Sequence, residues 1–579
     1  MYEIVVGRSD SDRKDLGTQG SVFLGKHYVK MGNTTSLSNK IFLDVAKTHV
    51  VLLSGKRGCL APNTKILTDT GYIPIKEFDK LKNKILTFNK KSKKFSYSPA
   101  ALLKYSIKNE ELIRIILEDN SEIKATKEHP LLTLKDKDLK WVKAKDLKEK
   151  ESLVGEENKQ ILKKTIKKIE KINNIKEVYD LTVPLTHSFI ANNIISHNSG
   201  KSYSIGVIAE EMAHLPQEVK EKIAVLMIDT MGIFWTMRFP NEKDEDLLDQ
   251  WKLPKKPLDI SIYTPKGYFN TYKEKGIPAD FPFTINPSEL SALDWCNSFE
   301  VSIIEPIGAA IESTLAKLKE KKQDYSIKDI IEFIENNKNL DQQLRLITIN
   351  RFIAAESWGI FSEEATPIKE LIKGGKVSVL DISAYKEWNI KTLVTGIICR
   401  KLMEERVIAR KKEEMEDIKK GHSYFEETQE TTGKETPLIW ILIDEAHNFL
   451  PKDKTTPATA PLVTILREGR QPGISLILAT QQPGEIHQDV ITQTDIVISH
   501  RLTAKRDVEA LNSMMQSYMP GVIQKYFNIL PKMRGSALVL DDNSERIYPL
   551  QIRPRFTWHG GEAPTAIKAK GKAAKELGL

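Results

Sequence analysis

At 579 residues and a formal net charge of +9, the chain is too long for one ordinary domain and long enough to bury a sizeable core. Its three cysteines, Cys59, Cys296 and Cys399, have no metal-ligand spacing and make no disulfide framework, which points to a reducing interior. No apolar run approaches the roughly 18 residues of a membrane span, and the first residues lack a basic-then-apolar export signal, so a cytoplasmic location with no membrane partner is expected.

Residues 1–47 hold short strand-like pieces, such as 2–6 and 21–24, broken by Gly and charged turns, and read as a small β leader, at most part of a barrel. The apolar run 50–54 reads as a buried strand. It is followed by Gly55-Lys56-Arg57-Gly58, half of a phosphate-binding loop, and the other half, Ser199-Gly200-Lys201-Ser202, stands far downstream before a helix-like run. Deleting 59–198 joins them as Gly55-Lys56-Arg57-Gly58-Ser199-Gly200-Lys201-Ser202, a full GxxxxGK[ST] match between a strand and a helix. The segment between must leave before the loop can work.

That segment is dense in short alternating runs, for example 112–117, which fits a compact all-β unit. It begins with Cys59, ends with His197-Asn198 and is followed by Ser199, so each junction carries a nucleophile suited to acyl transfer. Its opening Cys59-Leu60-Ala61-Pro62-Asn63-Thr64-Lys65-Ile66, its Thr126-Lys127-Glu128-His129, its Val178-Tyr179-Asp180-Leu181-Thr182-Val183 and its Thr186-His187-Ser188-Phe189 resemble the successive blocks of an intein without room for a homing endonuclease. The resemblance implies that Cys59, Asn198 and Ser199 carry the bond exchanges. It also implies that Thr126 and His129 polarise the first amide, Asp180 helps the early shifts, and His187 and His197 assist Asn198.

The insert also holds the charge excess. It contains 28 of the 87 Lys and Arg and 19 of the 78 Asp and Glu, which leaves 59 of each sign in the flanks. Bulk charge therefore gives the flanks no support for nucleic-acid binding, and any such surface must be local.

Beyond Ser202 an amphipathic helix leads to 223–229, a continuous apolar run of the kind buried in a parallel sheet. Residues 287–373 lack such runs and carry helical spacing, which predicts an α-helical insertion. Strands are expected again at 377–381, 438–443 and 474–480, so the flanks read as an α/β, RecA-like P-loop NTPase sheet. A helix from about 390 to 412 should give way to a mobile charged loop over 411–435. The expected organisation is 1–58 and 199–286 as the first parts of an ATPase, 59–198 as the insert, 287–373 helical, 374–565 as the rest of the core, and 566–579 as a basic, disordered tail.

Strand 438–443 ends in Asp444-Glu445, and 474–480 delivers Gln481, so these side chains are expected to converge on the loop at the carboxyl ends of the strands. Gly55, Gly58, Ser199 and Gly200 would let backbone N–H groups approach ATP phosphates, and Lys201 would reach the β- and γ-phosphates. Ser202 and Asp444 would hold Mg²⁺, Glu445 would activate water, and Gln481 would sense the γ-phosphate. Arg467 and Arg470 stand open between an arginine finger and a solvated helix face, with a neighbouring subunit as an alternative source. His447 reads as structural, and Trp235, Trp295 and Trp440 as core.

Asp229-Thr230-Met231-Gly232, Ile443-Asp444-Glu445-Ala446-His447, Leu466-Arg467-Glu468-Gly469-Arg470, Leu478-Ala479-Thr480-Gln481-Gln482-Pro483 and Arg553-Pro554-Arg555 together resemble the HerA/FtsK group of archaeal ring ATPases. The resemblance implies a homo-hexameric, ATP- and Mg²⁺-dependent motor on double-stranded DNA, often with a nuclease partner. The rival expectation is a ring or switch ATPase that acts on protein partners without DNA. A third treats splicing as the only live activity, against which Lys201, Glu445 and Gln481 stand.

Overall fold

The strand Val50–Ser54 lies buried along its whole length between two parallel neighbours, Ile474–Thr480 and Ile496–His500. In the computed structural model the described residues are 3–31, 34–55, 60–78, 83–89, 94–98, 101–106, 111–127, 129–135, 138–157, 160–173, 177–182, 188–197, 201–422, 436–500, 502, 505–514, 523–531 and 535–559. They form two units, one built from Met1–Gly55 with Lys201–Trp558, the other from the intervening Lys56–Gly200.

The first unit is organised by one 13-stranded sheet. Its parallel centre runs Ile260–Pro265, Val377–Asp381, Ile223–Asp229, Leu438–Ile443, Ile474–Thr480, Val50–Ser54, Ile496–His500, with Phe281–Phe283 at the far edge. The runs are apolar without alternation because helices cover both faces. On one face the helix Lys201–Ala213 packs Ile205, Val207, Ile208 and Ala209 against Val51, Leu53, Val225 and Ile477. On the other face Leu52, Leu226, Ile441 and Leu476 meet the helices Trp388–His422 and Thr459–Glu468. The core is thus α/β and RecA-like.

Residues 287–371 are helical, with Ala292–Phe299 and Ile327–Glu335 each started by a Ser-Asp capping box, Ser291 with Asp294 and Ser326 with Asp329. Trp295, Phe299, Phe352 and Phe361 make an aromatic cluster that merges with the sheet's own core. Trp295 and Trp440 are fully buried, whereas Trp235 is partly buried at the core's margin.

Three local expectations differ from the fold. The leader is no separate barrel fragment: Ser21–Met31 and Thr34–Asp44 form a hairpin whose edge pairs with Arg546–Ile552, through Gly25 opposite Ile552. The partner lies some 500 residues away in sequence, so no local pattern announces it. The strands Ile260–Pro265 and Ser536–Asp541 also extend the sheet without having been singled out. The helix Trp388–His422 continues ten residues past Lys412 into the stretch read as loop. There Arg410 pairs with Glu413 and Glu414, the i,i+3 and i,i+4 spacings that make a charged run helical rather than disordered, and Arg406 reaches Glu413 two turns on. Residues 423–435 and 566–579 lie outside the described residues.

The second unit is all-β among its described residues. A 12-stranded path includes Leu112–Leu117, Glu122–Thr126, Pro130–Lys135 and Ile194–His197, and a separate pair joins Glu177–Thr182 to Ala101–Ser106. Its core gathers Leu60, Ile115, Ile123, Leu131, Phe189 and Ile194.

Candidate functional site

Parallel strands end together at one rim. Ile443 and Leu478 are in register, as are Thr480 and Ser54, so Asp444, Gln481 and Gly55 leave the sheet on one rim. The helix Lys201–Ala213 starts at the same rim. Its Ser202 hydroxyl donates to Asp444 Oδ2 at 2.6 Å, and Asp444 Oδ1 accepts the Glu445 N–H at 2.8 Å. Gln481 Nε2 donates to Glu445 Oε1. Ser202, Asp444, Glu445 and Gln481 are all at least nine-tenths buried.

Glu445 has φ 56° and ψ 41°, the left-handed region, where a side chain with a Cβ is costly. Its Oε1 is held by Gln481, while Oε2 is buried with no hydrogen-bond partner among the described residues and lies 3.8 Å from His447 Nδ1. His447 also meets Thr480 Oγ1 at 3.2 Å, which fits a structural imidazole. A hydroxyl and carboxylates are the donor set that a hard cation such as Mg²⁺ takes, and a buried carboxylate oxygen with no hydrogen-bond donor on it suits a water-activating base.

On the next two strands, Asp229 and Asp381 end in register with each other. Asp229 accepts N–H groups from Met231, Gly232, Ile233 and Phe234, which fixes the turn after its strand. Burial, with the Asp381 carboxylate adding to it, lifts the Asp229 carboxyl to about 7 despite those donors.

The helix that carries Ser202 is anchored at its other end. Glu210, fully buried, accepts from Arg553 Nη1 and Nη2 at 3.1 Å, from Arg555 Nε at 3.0 Å, and from the N–H groups of Phe556 and Thr557. Gly206 makes room for this, since a Cβ there would stand 2.4 Å from the Arg555 guanidinium. Burial alone would raise the Glu210 carboxyl, but the two guanidinium groups outweigh it and hold it below the usual range.

Arg470 lies before the strand Ile474–Thr480, whereas Gln481 follows it, so about 20 Å of strand separates Arg470 from its own chain's rim. It lines a cleft of about 590 Å³ at the amino ends of the strands, with Lys47, His49, Arg406 and Asp495. Arg467, in the last turn of Thr459–Glu468, donates from Nε and Nη2 to Asp489.

In the all-β unit, Leu60 bridges Ala125 on one side and Tyr179 on the other, and its N–H donates to the Tyr179 carbonyl at 2.7 Å. The neighbours in sequence of Cys59, Thr126 and Asp180 are therefore in backbone contact. Thr126 and His129 are buried in one tight turn, closed by the His129 N–H on the Thr126 carbonyl at 2.9 Å. Ser196, next to His197, pairs with Leu131, two residues past His129. Cys59, Gly58, His187, Asn198, Ser199 and Gly200 lie outside the described residues, as do the side chains of Asp180, His197 and Lys201.

Residues 199–402 match the family model described as the central domain of helicase HerA, and residues 65–165 match the intein splicing domain. The chain therefore joins a region similar to the HerA central domain with a region similar to an intein splicing domain. The HerA match begins at Ser199, the residue after the expected end of the intein. The DNA double-strand break repair helicase HerA of Pyrococcus furiosus is 32% identical over 143 residues, 24% of this chain and 26% of that protein. A probable helicase of Methanocaldococcus jannaschii is 22% identical over 356 residues, covering 59% of this chain and 61% of its own length. The chain thus spans between about a quarter and three fifths of these relatives. Among solved structures, a DnaB intein from Synechocystis is 26% identical with a TM-score of 0.22, covering 25% of this chain and 99% of that one. An intein from a hyperthermophile is 21% identical with a TM-score of 0.23, covering 24% and 99%. Among the described residues no helix is long and apolar enough to cross a membrane.

Asp381 beside the rim and Glu210 behind the Ser202 helix were not among the residues expected from the sequence. A glutamate within the apolar helix run 205–212 was the available signal for Glu210, since a buried carboxylate demands cationic partners. The Arg553-Pro554-Arg555 text supplied them.

Proposed function

We propose that this chain is a self-splicing precursor whose joined flanks form a Mg²⁺-dependent ATP hydrolase. The observation that carries the reading is the Ser202–Asp444 hydrogen bond with Glu445 and Gln481 beside it, at the rim where both halves of the loop end. Once Gly58 is joined to Ser199, the backbone N–H groups from Gly55 to Gly200 and the Lys201 ammonium would cradle the phosphates. Ser202 and Asp444 would hold Mg²⁺, whose charge would offset that of the β- and γ-phosphates. The Glu445 Oε2 would take a proton from the attacking water, and Gln481 would keep the carboxylate aimed and register the γ-phosphate.

For splicing, the Cys59 thiolate attacks the Gly58 carbonyl, so the amide becomes a thioester and the Cys59 nitrogen takes up the proton. Ser199 Oγ then attacks the thioester carbonyl, and its proton passes to the departing thiolate. The Asn198 side-chain nitrogen closes on its own carbonyl and frees the Ser199 amine, which displaces its own Oγ to leave a peptide bond. Thr126 and His129 polarise the first amide, Asp180 aids the early shifts, and His187 and His197 assist Asn198. The backbone contacts of Leu60 with Ala125 and Tyr179 support this grouping.

The relatives named as DNA double-strand break repair helicases support DNA as the substrate; the family resemblance further implies a homo-hexameric motor on double-stranded DNA with a nuclease as partner. The equal count of 59 basic and 59 acidic residues in the flanks favours the second reading, an ATPase that acts on protein partners. Intact-mass measurement of the expressed chain is expected to show a shortened product in place of 65.8 kDa. The spliced product should hydrolyse ATP faster with duplex DNA, and Glu445→Gln should bind ATP while hydrolysing it at least about 100-fold more slowly. An undivided chain that hydrolyses ATP overturns the splicing reading, and indifference to DNA selects the protein-partner reading.

A further inference from the structure

We propose that the strand Ile496–His500 is a splint for splicing: through Ser499 and His500 it holds the two ends of the broken loop side by side, so that Gly58 is ligated to Ser199 rather than cleaved from it. The inference rests on the splicing reading and deepens it by naming positioning residues in the host. They are Ser54 and Ser204 on the two ends and Ser499 and His500 on the strand between.

The geometry is internal to the first unit. Ser54, the last residue of the strand before the break, donates from Oγ to Ser499 Oγ at 2.8 Å and stands opposite Ser499 in the parallel ladder. Ser204, in the first turn after the break, lies 2.8 Å by its Oγ from His500 Nε2. His500 Nδ1 is 3.2 Å from the Ser536 carbonyl oxygen, which can only accept, so Nδ1 carries hydrogen and Nε2 can accept from the Ser204 hydroxyl. Both ends of the break are therefore tied to consecutive residues of one strand while the insert is still in the chain. Neither end can drift. Val50–Ser54 is buried between two parallel strands, and the helix is held from behind by Glu210 with Arg553 and Arg555.

The tethers from these anchors are short. Three residues, 56–58, lead from Gly55 to the acyl group, and two, 199–200, lead back to Lys201. At about 3.5 Å per extended residue, chain connectivity alone limits the Gly58 carbonyl to roughly 10 Å from Gly55, next to Ser54, and the Ser199 hydroxyl to roughly 7 Å from Lys201, one helical turn before Ser204. Confinement of that kind raises the effective concentration of the Ser199 hydroxyl at the thioester. Two reactions compete with ligation. Water can take the acyl group from Cys59 Sγ, releasing 1–58 with a Gly58 carboxylate, and Asn198 can cyclise before transfer, releasing 199–579. Losing the splint favours both.

The test uses the full-length chain, with Ser54→Ala, Ser204→Ala and the double variant, and reads ligated product against the 1–58 and 199–579 fragments by intact mass. Each substitution removes one hydroxyl and almost no volume. Loss of one buried hydrogen bond is expected to raise the ratio of cleaved to ligated product about five-fold, and the double variant more. Ser204→Thr keeps the hydroxyl and should restore the native ratio, which separates positioning from general weakening of the fold. An unchanged ratio in the alanine variants, or equal ratios in Ser204→Ala and Ser204→Thr, overturns the splint while leaving the splicing reading intact. A native chain that yields no ligated product at all overturns both.

Discussion

Asp229 and Asp381 face each other in register at the carboxyl ends of adjacent parallel strands, both buried, one strand removed from the Asp444 that would hold Mg²⁺. Two carboxylates so placed cannot both ionise cheaply. Asp229 keeps its proton to about 7, whereas the unfolded chain releases it near the ordinary aspartate value. The folded state binds more protons across that window, so this group's contribution falls as pH rises from about 4 to about 7. Asp381→Asn removes the second charge and keeps an acceptor for the Ser383 N–H. Thermal melts should show it more stable than the native chain at pH 8 and indistinguishable at pH 4.

His49 loses its contribution in the same direction for the opposite reason, because here the charged form is the one favoured. Burial would depress its imidazole, but the carboxylates of Asp44 and Asp495 outweigh burial and hold it up at about 9. His49 Nδ1 is 2.9 Å from Asp495 and Nε2 3.5 Å from Asp44, which itself takes the buried Arg8 guanidinium at 2.6 Å. The stabilisation is present in full below the unfolded value near 6.5 and is lost as pH rises through 9. A melting series from pH 6 to 10 should decline in the native chain and stay flatter in His49→Gln. Parallel curves would show that His49 does not titrate there.

Glu210 is where the Ser202 helix meets the segment Arg553–Thr557. Removing one member of a buried ionic cluster strands the others, and Glu210→Ala leaves two buried guanidinium groups without their carboxylate. The expected loss is about 3–5 kcal/mol of unfolding free energy, measured by denaturant titration of the spliced product. A loss under about 1 kcal/mol, the range of exposed pairs, would contradict the clamp.

Arg470 stands about 20 Å of strand from its own chain's rim, and Arg467 is held by Asp489. In the proposed ring, Arg467 would act on a neighbouring subunit. Arg467→Ala should lower kcat of the spliced product by about 1,000-fold with ATP affinity nearly unchanged. Mixing those subunits with Lys201→Ala subunits, each inactive alone, should restore hydrolysis at mixed interfaces. No recovery on mixing would remove Arg467 from that role.

The amino-acid sequence alone determined whatever depends on local order: the buried strands 50–54, 223–229, 377–381, 438–443 and 474–480, and the helical spacing of 287–373. The broken GxxxxGK[ST] text was legible because its meaning lies in residue order and survives an insertion of any length. Asp444 and Gln481 could be placed because parallel strands deliver their carboxyl ends to one rim. Tertiary structure decided what depends on residues meeting across hundreds of positions. Gly25 against Ile552, Glu210 against Arg553 and Arg555, and Ser54 and Ser204 on Ser499 and His500 are such meetings. A side chain's chemistry is written at its own position, but its partner is chosen by the burial of the whole sheet, which no window of sequence contains.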